Sequence, residues 1–285
     1  MLKFETIINL DNHLEKLRKE GFKIGFIPTM GALHKGHLSL IEKAKADKAI
    51  TVCSIFVNPT QFNNANDLLN YPRTLEADIK LLESISCDVL FIPSVQEIYP
   101  EPIKTFFNFG SLETTMEGAY RKGHFNGMAT VVNRLFEIVK PDFAYFGEKD
   151  FQQLTIVKML VKMQNLPIKI IGFETLREEG GLAMSSRNIH LSPKEREDAL
   201  IISQTLFKAK ELFQTMTIQE LKTWAINNLT KNPSIELEYF EIADSETLQP
   251  LMIKPDGTKS RQDSKIRAFI ALKIGKTRLI DNLEL

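Results

Sequence analysis

The sequence has no surplus of either charge: 36 lysines and arginines face 36 aspartates and glutamates, a formal net charge of zero. A protein whose main business is coating nucleic acid usually shows a basic excess, so that class is excluded. Cysteine is scarce. Cys53 and Cys87 are too few for a disulfide framework, and both sit in or beside apolar runs where a buried thiol is expected. No stretch approaches about 18 uncharged apolar residues, the length a membrane helix needs. The opening Met1-Leu-Lys-Phe-Glu has no apolar signal core. Internal repeats and low-complexity tracts are also missing. What remains is globular material: 285 residues, 43% hydrophobic and 25% charged. That is long enough for one or two domains with a real core and too apolar for disorder. A soluble protein of a reducing compartment is expected.

The chain reads first as α/β. Ile24-Gly-Phe-Ile-Pro-Thr29 is a short apolar run in which Pro28 must lie at a strand end, because it cannot donate to a ladder. Ala49–Val57 is rich in β-branched residues and shows no polar alternation, the pattern of a strand buried on both faces. Asp88–Ile92, Phe143–Phe146 and Ile168–Gly172 supply further strands. Helical patterns lie between them at Leu38–Ala46, Leu75–Ser84, Thr130–Val139 and Phe151–Gln164. Strands alternating with helices imply βαβ units and a parallel sheet. After about residue 174 the pattern changes. Two helical segments, roughly 193–213 and 217–230, precede strand-like runs at Glu236–Ile242, Ile266–Lys273 and Thr277–Ile280, a small α+β unit. Lys254–Lys265 is turn-rich and charged, and a solvated loop is expected there.

Four polar clusters follow strand ends, where open α/β sheets bind ligands. In Met30-Gly-Ala-Leu-His-Lys-Gly-His37, Gly31 and Gly36 permit close backbone approach, and a helix N-terminus offers N–H groups to phosphate. His34 and His37 are three apart and face one ligand on a first turn. A surface pair or a zinc pair is the bland alternative, but only His13, His124 and His190 are left to complete a metal site. Asn58-Pro-Thr-Gln61 places an amide with both donor and acceptor after the buried strand. Downstream stand Arg73 and Asp78, ordinary surface residues when taken separately. Gly147-Glu-Lys-Asp150 brings a point charge at Lys149, with Asp150 suited to a magnesium-bound water, a ribose hydroxyl or a helix cap. Met184-Ser-Ser-Arg187 sets two hydroxyls beside a guanidinium, a clamp for triphosphate oxygens. Alone, each is weak.

Together they carry more. Pro28–His37, Phe56–Phe62, Tyr71–Thr74, Gly123–Gly127, Phe146–Gln153 and Met184–Asn188 resemble, in order and spacing, the pantothenate synthetase (pantoate–β-alanine ligase) family of the HIGH/KMSKS nucleotidyltransferase superfamily. The resemblance is strong over residues 22–192. It implies a Rossmann-like parallel sheet flanked by helices over 1–174 and a smaller α+β domain over 175–285, the latter opening with the Met-Ser-Ser-Arg loop. It implies ATP-dependent joining of pantoate to β-alanine through a pantoyl-adenylate, in the cytoplasm, by a homodimer, without nucleic acid or membrane.

Carried over by position, Met30, Gly31, Ala32, Leu33, His34, Lys35, Gly36 and His37 line the ATP site. His34 and His37 meet the phosphates, with His37 as the proton donor. Gly147, Glu148, Lys149, Asp150, Met184, Ser185, Ser186 and Arg187 also bind ATP, and Leu176 contacts it through its backbone. Gln61 and Gln153 hold pantoate, and Gln61 also lies near the β-alanine amine. Magnesium is expected on the phosphates without a protein cage, Asp78 being a partner in its outer shell. The stretch 113–127, with Arg121, His124, Gly118, Gly123 and Gly127, is expected to close over the site. A neutral total then conceals a positive site, gathering His34, Lys149 and Arg187 for one triphosphate.

Two rivals share the first motif. A nucleotidylyltransferase would act on a phosphorylated acceptor, for which the amides Gln61 and Gln153 are ill suited. A silent ATP-binding regulator would not need the whole motif set. A tRNA-charging relative is disfavoured because its second signature carries two lysines where this chain has Ser185, Ser186 and Arg187.

Overall fold

The run Ile50–Ile55, with four fully buried residues inside it, forms a strand covered on both faces, as its lack of polar alternation predicts. The computed structural model describes residues 1–62, 65–102, 105–254 and 265–285. Up to Glu174 the elements are β1 (Leu2–Phe4), α1 (Ile7–Lys19), β2 (Ile24–Thr29), α2 (Lys35–Ala46), β3 (Ile50–Ile55), α3 (Ala65–Leu69), α4 (Leu75–Ser84), β4 (Val89–Phe91), α5 (Val95–Ile98), α6 (Glu117–Tyr120), α7 (His124–Val139), β5 (Phe143–Gly147), α8 (Phe151–Met163) and β6 (Lys169–Phe173). Then come α9 (Pro193–Leu212), α10 (Ile218–Leu229), β7 (Ile235–Asp244), β8 (Ile266–Ile274) and β9 (Thr277–Glu284).

Two units separate by their internal packing. One holds residues 1–113, 118–148 and 153–174; the other holds 114–117, 149–152 and 175–285. In the first, six parallel strands run in the order β1-β4-β3-β2-β5-β6, flanked by helices. From β2 the chain builds outward to β3 and β4, then returns to add β5 and β6 on the other side. The strand order therefore reverses between β2 and β5, and the crevice beyond the carboxyl ends of such a pair is where these sheets bind ligands. Cys53, Cys87, Leu40, Ile41, Leu82 and Leu90 pack in one core cluster. Both thiols are free and buried, and burial pushes both up from their ordinary range.

In the second unit, α9 and α10 lie against an antiparallel sheet β7-β8-β9. Ile202, Leu206, Leu221 and Leu229 meet Phe240 and Ile270 in its core, each buried aliphatic side chain contributing about 1.5–3 kcal/mol. Both helices open on capping boxes, Ser192 with Glu195 and Thr217 with Glu220, and Pro193 occupies the first turn of α9. Gly275, at φ 56°, makes the β8–β9 turn.

The sequence pattern misses β1 and α1, and places the start of α7 six residues late, at Thr130 rather than His124. The solvated loop expected at 254–265 lies outside the described residues at 255–264. No helix among the described residues is long and apolar enough to cross a membrane.

Candidate active site

The first motif occupies the turn from β2 into α2. Thr29 Oγ1 donates to the Ser54 carbonyl (2.7 Å) and accepts the Gly31 N–H (3.2 Å), turning the chain as the strand ends. Gly31 (φ 82°) and Ala32 (φ 49°) both adopt left-handed backbone. A Cβ on Gly31 would stand 3.1 Å from both Asp78 Oδ2 and Ile55 Cγ2, so glycine suits the space as well as the dihedral. Ala32 has no such excuse, and its conformation costs on the order of 1 kcal/mol or more. Asp78, only 1% exposed, offsets this: Oδ2 accepts the Ala32 N–H (3.0 Å), and Oδ1 accepts the Leu33 N–H (2.8 Å) and the Thr74 hydroxyl (3.1 Å). Its carboxylate is thus engaged by the loop's own backbone. Asp78 braces the turn.

His34 caps α2, its Nδ1 accepting the Gly36 N–H (3.2 Å), while His37 Nδ1 accepts the His34 N–H (3.3 Å). The rings lie 4.0 Å apart, tilted by 37°. A ring nitrogen that accepts a backbone N–H carries no proton, so each neutral imidazole holds its proton on Nε2. Two N–H donors at a helix N-terminus suit an anion.

After β3, Asn58 organises Gln61. Its Oδ1 accepts from the Thr60 N–H (3.3 Å), the Thr60 hydroxyl (3.0 Å) and Tyr99 (3.0 Å), while Nδ2 donates to the Gly127 carbonyl (3.1 Å) and to Gln61 Oε1 (3.1 Å). With its oxygen so held, Gln61 turns its amide nitrogen to Met30 Sδ, 3.0 Å away, joining the β3 loop to the β2 loop. Gln61 here offers donors. Gln153 stands half-buried in the first turn of α8, and no hydrogen bond joins the two amides among the described residues.

The start of α7 backs this loop. His124 Nδ1 donates to the Gln61 carbonyl (2.8 Å), and Nε2 accepts from Arg121 (3.0 Å), which fixes the tautomer because a carbonyl only accepts. A Cβ on Gly127 would fall 2.1 Å from the Thr60 carbonyl oxygen, and one on Gly118 would fall 2.3 Å from that of Glu113. These two glycines serve close backbone contact; Gly123 alone of the three is left-handed (φ 79°). Arg73 donates to the carbonyls of Leu68, Leu69 and Tyr71, fastening the end of α3.

In the second unit Lys149 and Asp150 form a short turn before α8, with Lys149 Nζ 3.7 Å from Asp150 Oδ1 and Asp150 half exposed. Residues 176–184 form a hairpin: Met184 N–H donates to the Leu176 carbonyl (2.9 Å), Arg177 bridges to Ala183, and Gly180 and Gly181 turn the tip at φ 90° and 97°. Ser185 Oγ then accepts the Arg187 N–H (3.3 Å), opening a turn through Ser186–His190. Asn188 ties this turn to the hairpin, donating to Glu178 (2.7 Å) and to the Ala183 carbonyl (3.1 Å). The segment 114–117 is fastened at Glu117, which takes two hydrogen bonds from Arg278 (2.6 and 2.8 Å) and one from Tyr239 (2.8 Å). Burial works against the Arg278 charge, but Glu117 and Glu238 outweigh it and its pKa rises. Gln152 completes the tie, accepting the Glu117 N–H (3.1 Å) and donating to the Thr115 carbonyl (3.0 Å). Asp78, Asn58, Asn188 and Glu117 were invisible as positioning residues because their partners are backbone groups or lie far along the chain.

Among the described residues no three His, Cys, Asp or Glu side chains group as metal ligands. The first unit offers Nε2–H of two histidines and an amide, and the second offers a lysine, two hydroxyls and a guanidinium, in each case donors suited to an anion.

Comparison with known proteins agrees with these features. A family model described as pantoate-beta-alanine ligase matches residues 3–284. A pantothenate synthetase from Azobacteroides pseudotrichonymphae is 51% identical over 280 residues, 98% of each chain. The crystal structure of pantothenate synthetase from Thermus thermophilus is 41% identical, with a TM-score of 0.91 over 100% of this chain and 99% of that one. A pantoate-beta-alanine ligase from Francisella tularensis, complexed with beta-gamma ATP and beta-alanine, is 38% identical with a TM-score of 0.79, covering 100% of this chain and 97% of that one. Matched along nearly its whole length by the family model, and by a relative at half identity, this chain belongs to the pantoate-beta-alanine ligase family.

Proposed function

We propose that this chain condenses (R)-pantoate with β-alanine, converting ATP to AMP and diphosphate through a pantoyl-adenylate, and that the side chains above divide the work as follows. The pantoate carboxylate attacks the α-phosphorus, and diphosphate leaves with the electron pair of the broken P–O bond. The β-alanine amine then attacks the acyl carbon; AMP leaves, and the amine loses a proton. Neither step needs a protein nucleophile. Positioning and charge stabilisation carry the rate.

His34 and His37 donate Nε2–H to phosphate oxygens, with His37 placed for the α-phosphoryl group. The Met30–Leu33 and Lys35–Gly36 backbone lines the nucleotide, while Gly147 to Asp150, Leu176 and Met184 to Arg187 complete the ATP set. Gln61 and Gln153 bind pantoate, Gln61 through the amide N–H that Asn58 directs. Magnesium enters with the nucleotide, bound by phosphate oxygens and water; half-exposed Asp150 is the carboxylate suited to accept from a metal-bound water. When bound, the ion neutralises phosphate charge. The same reading holds that residues 1–174 and 175–285 are separate domains, that the protein is a cytoplasmic homodimer, and that neither nucleic acid nor membrane is its partner.

The observation that carries this reading is the meeting of Gln61 with Met30 at 3.0 Å, which joins a carboxylate-binding amide to a phosphate-binding loop at the ends of adjacent strands. The test is isotope exchange of labelled diphosphate into ATP. Exchange should require pantoate and magnesium but neither β-alanine nor tRNA. Its absence with pure, folded protein would overturn the assignment.

A further inference from the structure

Two consecutive residues of β9 hold two separate stretches of the second unit. Asp281 accepts a forked pair of hydrogen bonds from Arg177 (2.6 and 3.2 Å), whose guanidinium also donates to the Gly181 carbonyl (3.0 Å) and lies 5.1 Å from the centre of the Phe207 ring. The root and tip of the 176–184 hairpin are thereby fixed to β9. Asn282, 3% exposed, acts on the other stretch. Its Nδ2 donates to the Lys149 carbonyl (2.8 Å), and its Oδ1 accepts from Arg267 Nη1 (2.6 Å). Arg267 in turn lies 4.0 Å from the centre of the Phe151 ring, two residues beyond Lys149.

The chemistry of the partners leaves the amide one orientation. A guanidinium only donates and a carbonyl only accepts, so Asn282 is the one side-chain type of its size that satisfies both at once. Aspartate keeps the Arg267 bond and loses the donor to Lys149. Leucine loses both. Lys149 itself is 17% exposed at its side chain, so its backbone position decides where the ammonium stands.

We infer that Asn282 is a positioning residue for the nucleotide: by holding the carbonyl of Lys149 it fixes the lysine that meets the ATP phosphates. This rests on the reading of Lys149 as an ATP ligand, and the two can fail separately.

The test is a double-mutant cycle on pantoate-dependent diphosphate exchange, with ATP and pantoate varied in turn. Lys149→Ala should raise the KM for ATP. Asn282→Ala should raise it by roughly three- to tenfold, the size of one lost hydrogen bond, with the KM for pantoate within about twofold of the parent. In the Lys149→Ala background, Asn282→Ala should add less than about twofold, because its route to the nucleotide is already gone. Asn282→Asp, which retains the Arg267 contact, covers the case in which the alanine variant does not fold; it should fold and still weaken ATP. An ATP KM unchanged in Asn282→Asp, or full additivity in the double variant, overturns the inference while leaving Lys149 its role. An ATP KM unchanged in Lys149→Ala overturns the reading beneath it.

Discussion

The carboxylate of Asp78 accepts the backbone N–H of Leu33 at 2.8 Å, although 45 residues separate them and neither would be paired with the other on sequence grounds. Together with the bond to Ala32, this contact holds a left-handed turn at the start of the β2–α2 loop. The turn is strained and the carboxylate is what keeps it. Asp78→Asn keeps the shape but offers one oxygen where two N–H groups ask for acceptors, and a buried donor left unmet costs about 1–3 kcal/mol. The variant should lose stability on that order in chemical denaturation and adenylate pantoate more slowly. A variant with parental stability and exchange rate would remove Asp78 from the loop's support.

His37→Ala should lower pantoate adenylation by roughly 10²–10³-fold, the usual effect of deleting one preorganised donor to a transition state. The second half-reaction, measured on pantoyl-adenylate supplied directly, should suffer less. An exchange rate within about twofold of the parent would show that His37 does not meet the reacting phosphate.

Asn58→Asp tests the direction of the Gln61 amide. Aspartate still accepts from Thr60 and Tyr99 but cannot donate, so Gln61 would turn its nitrogen toward residue 58 and its oxygen toward the ligand. The KM for pantoate should rise by about tenfold or more, one lost hydrogen bond plus one repulsive contact, with little change for ATP. Equal effects on both substrates would point to general damage instead.

Tyr145→Phe gives a pH-dependent stability loss. The Tyr145 hydroxyl donates to Asp47 Oδ2 at 3.0 Å, and the Asp47 carboxyl lies below its usual range, first because of Lys43, with burial opposing and Tyr145 assisting. A depressed carboxyl stabilises the fold above its unfolded pKa, about 3.9, and that contribution is lost as pH falls through the folded value. At pH 6–7 the variant should therefore be less stable by about 1–2 kcal/mol, and the gap should narrow below about pH 4. Urea titrations at the two pH values measure it; a gap that widens in acid would reverse the assignment.

Much of the plan was legible because it follows from local pattern. The buried run at β3 announced a covered strand, and six motifs in order marked the family. β1 was missed since a three-residue edge strand has no period to detect, and its partner Phe91 lies 87 residues from Phe4. The role of Asp78 was hidden for a related reason: it works chiefly on the backbone of Ala32 and Leu33, groups that every residue has, so no residue type marks the partner. Gly127 shows the same limit from the other side: its lack of a Cβ admits the Thr60 carbonyl, a contact that no local pattern announces.

The hold of Asn282 on Lys149 has a consequence for the order of synthesis. The two are separated by 133 positions, so at the usual 5–20 residues per second a growing chain carries its lysine for roughly 7–27 s before the anchor exists. Through that interval the Lys149 turn lacks the strand that sets it. If Lys149 meets ATP as proposed, full nucleotide affinity is deferred until β9 is laid down, and a ribosome-bound chain stopped short of that strand should hold ATP several-fold more weakly even where its parallel sheet has already formed.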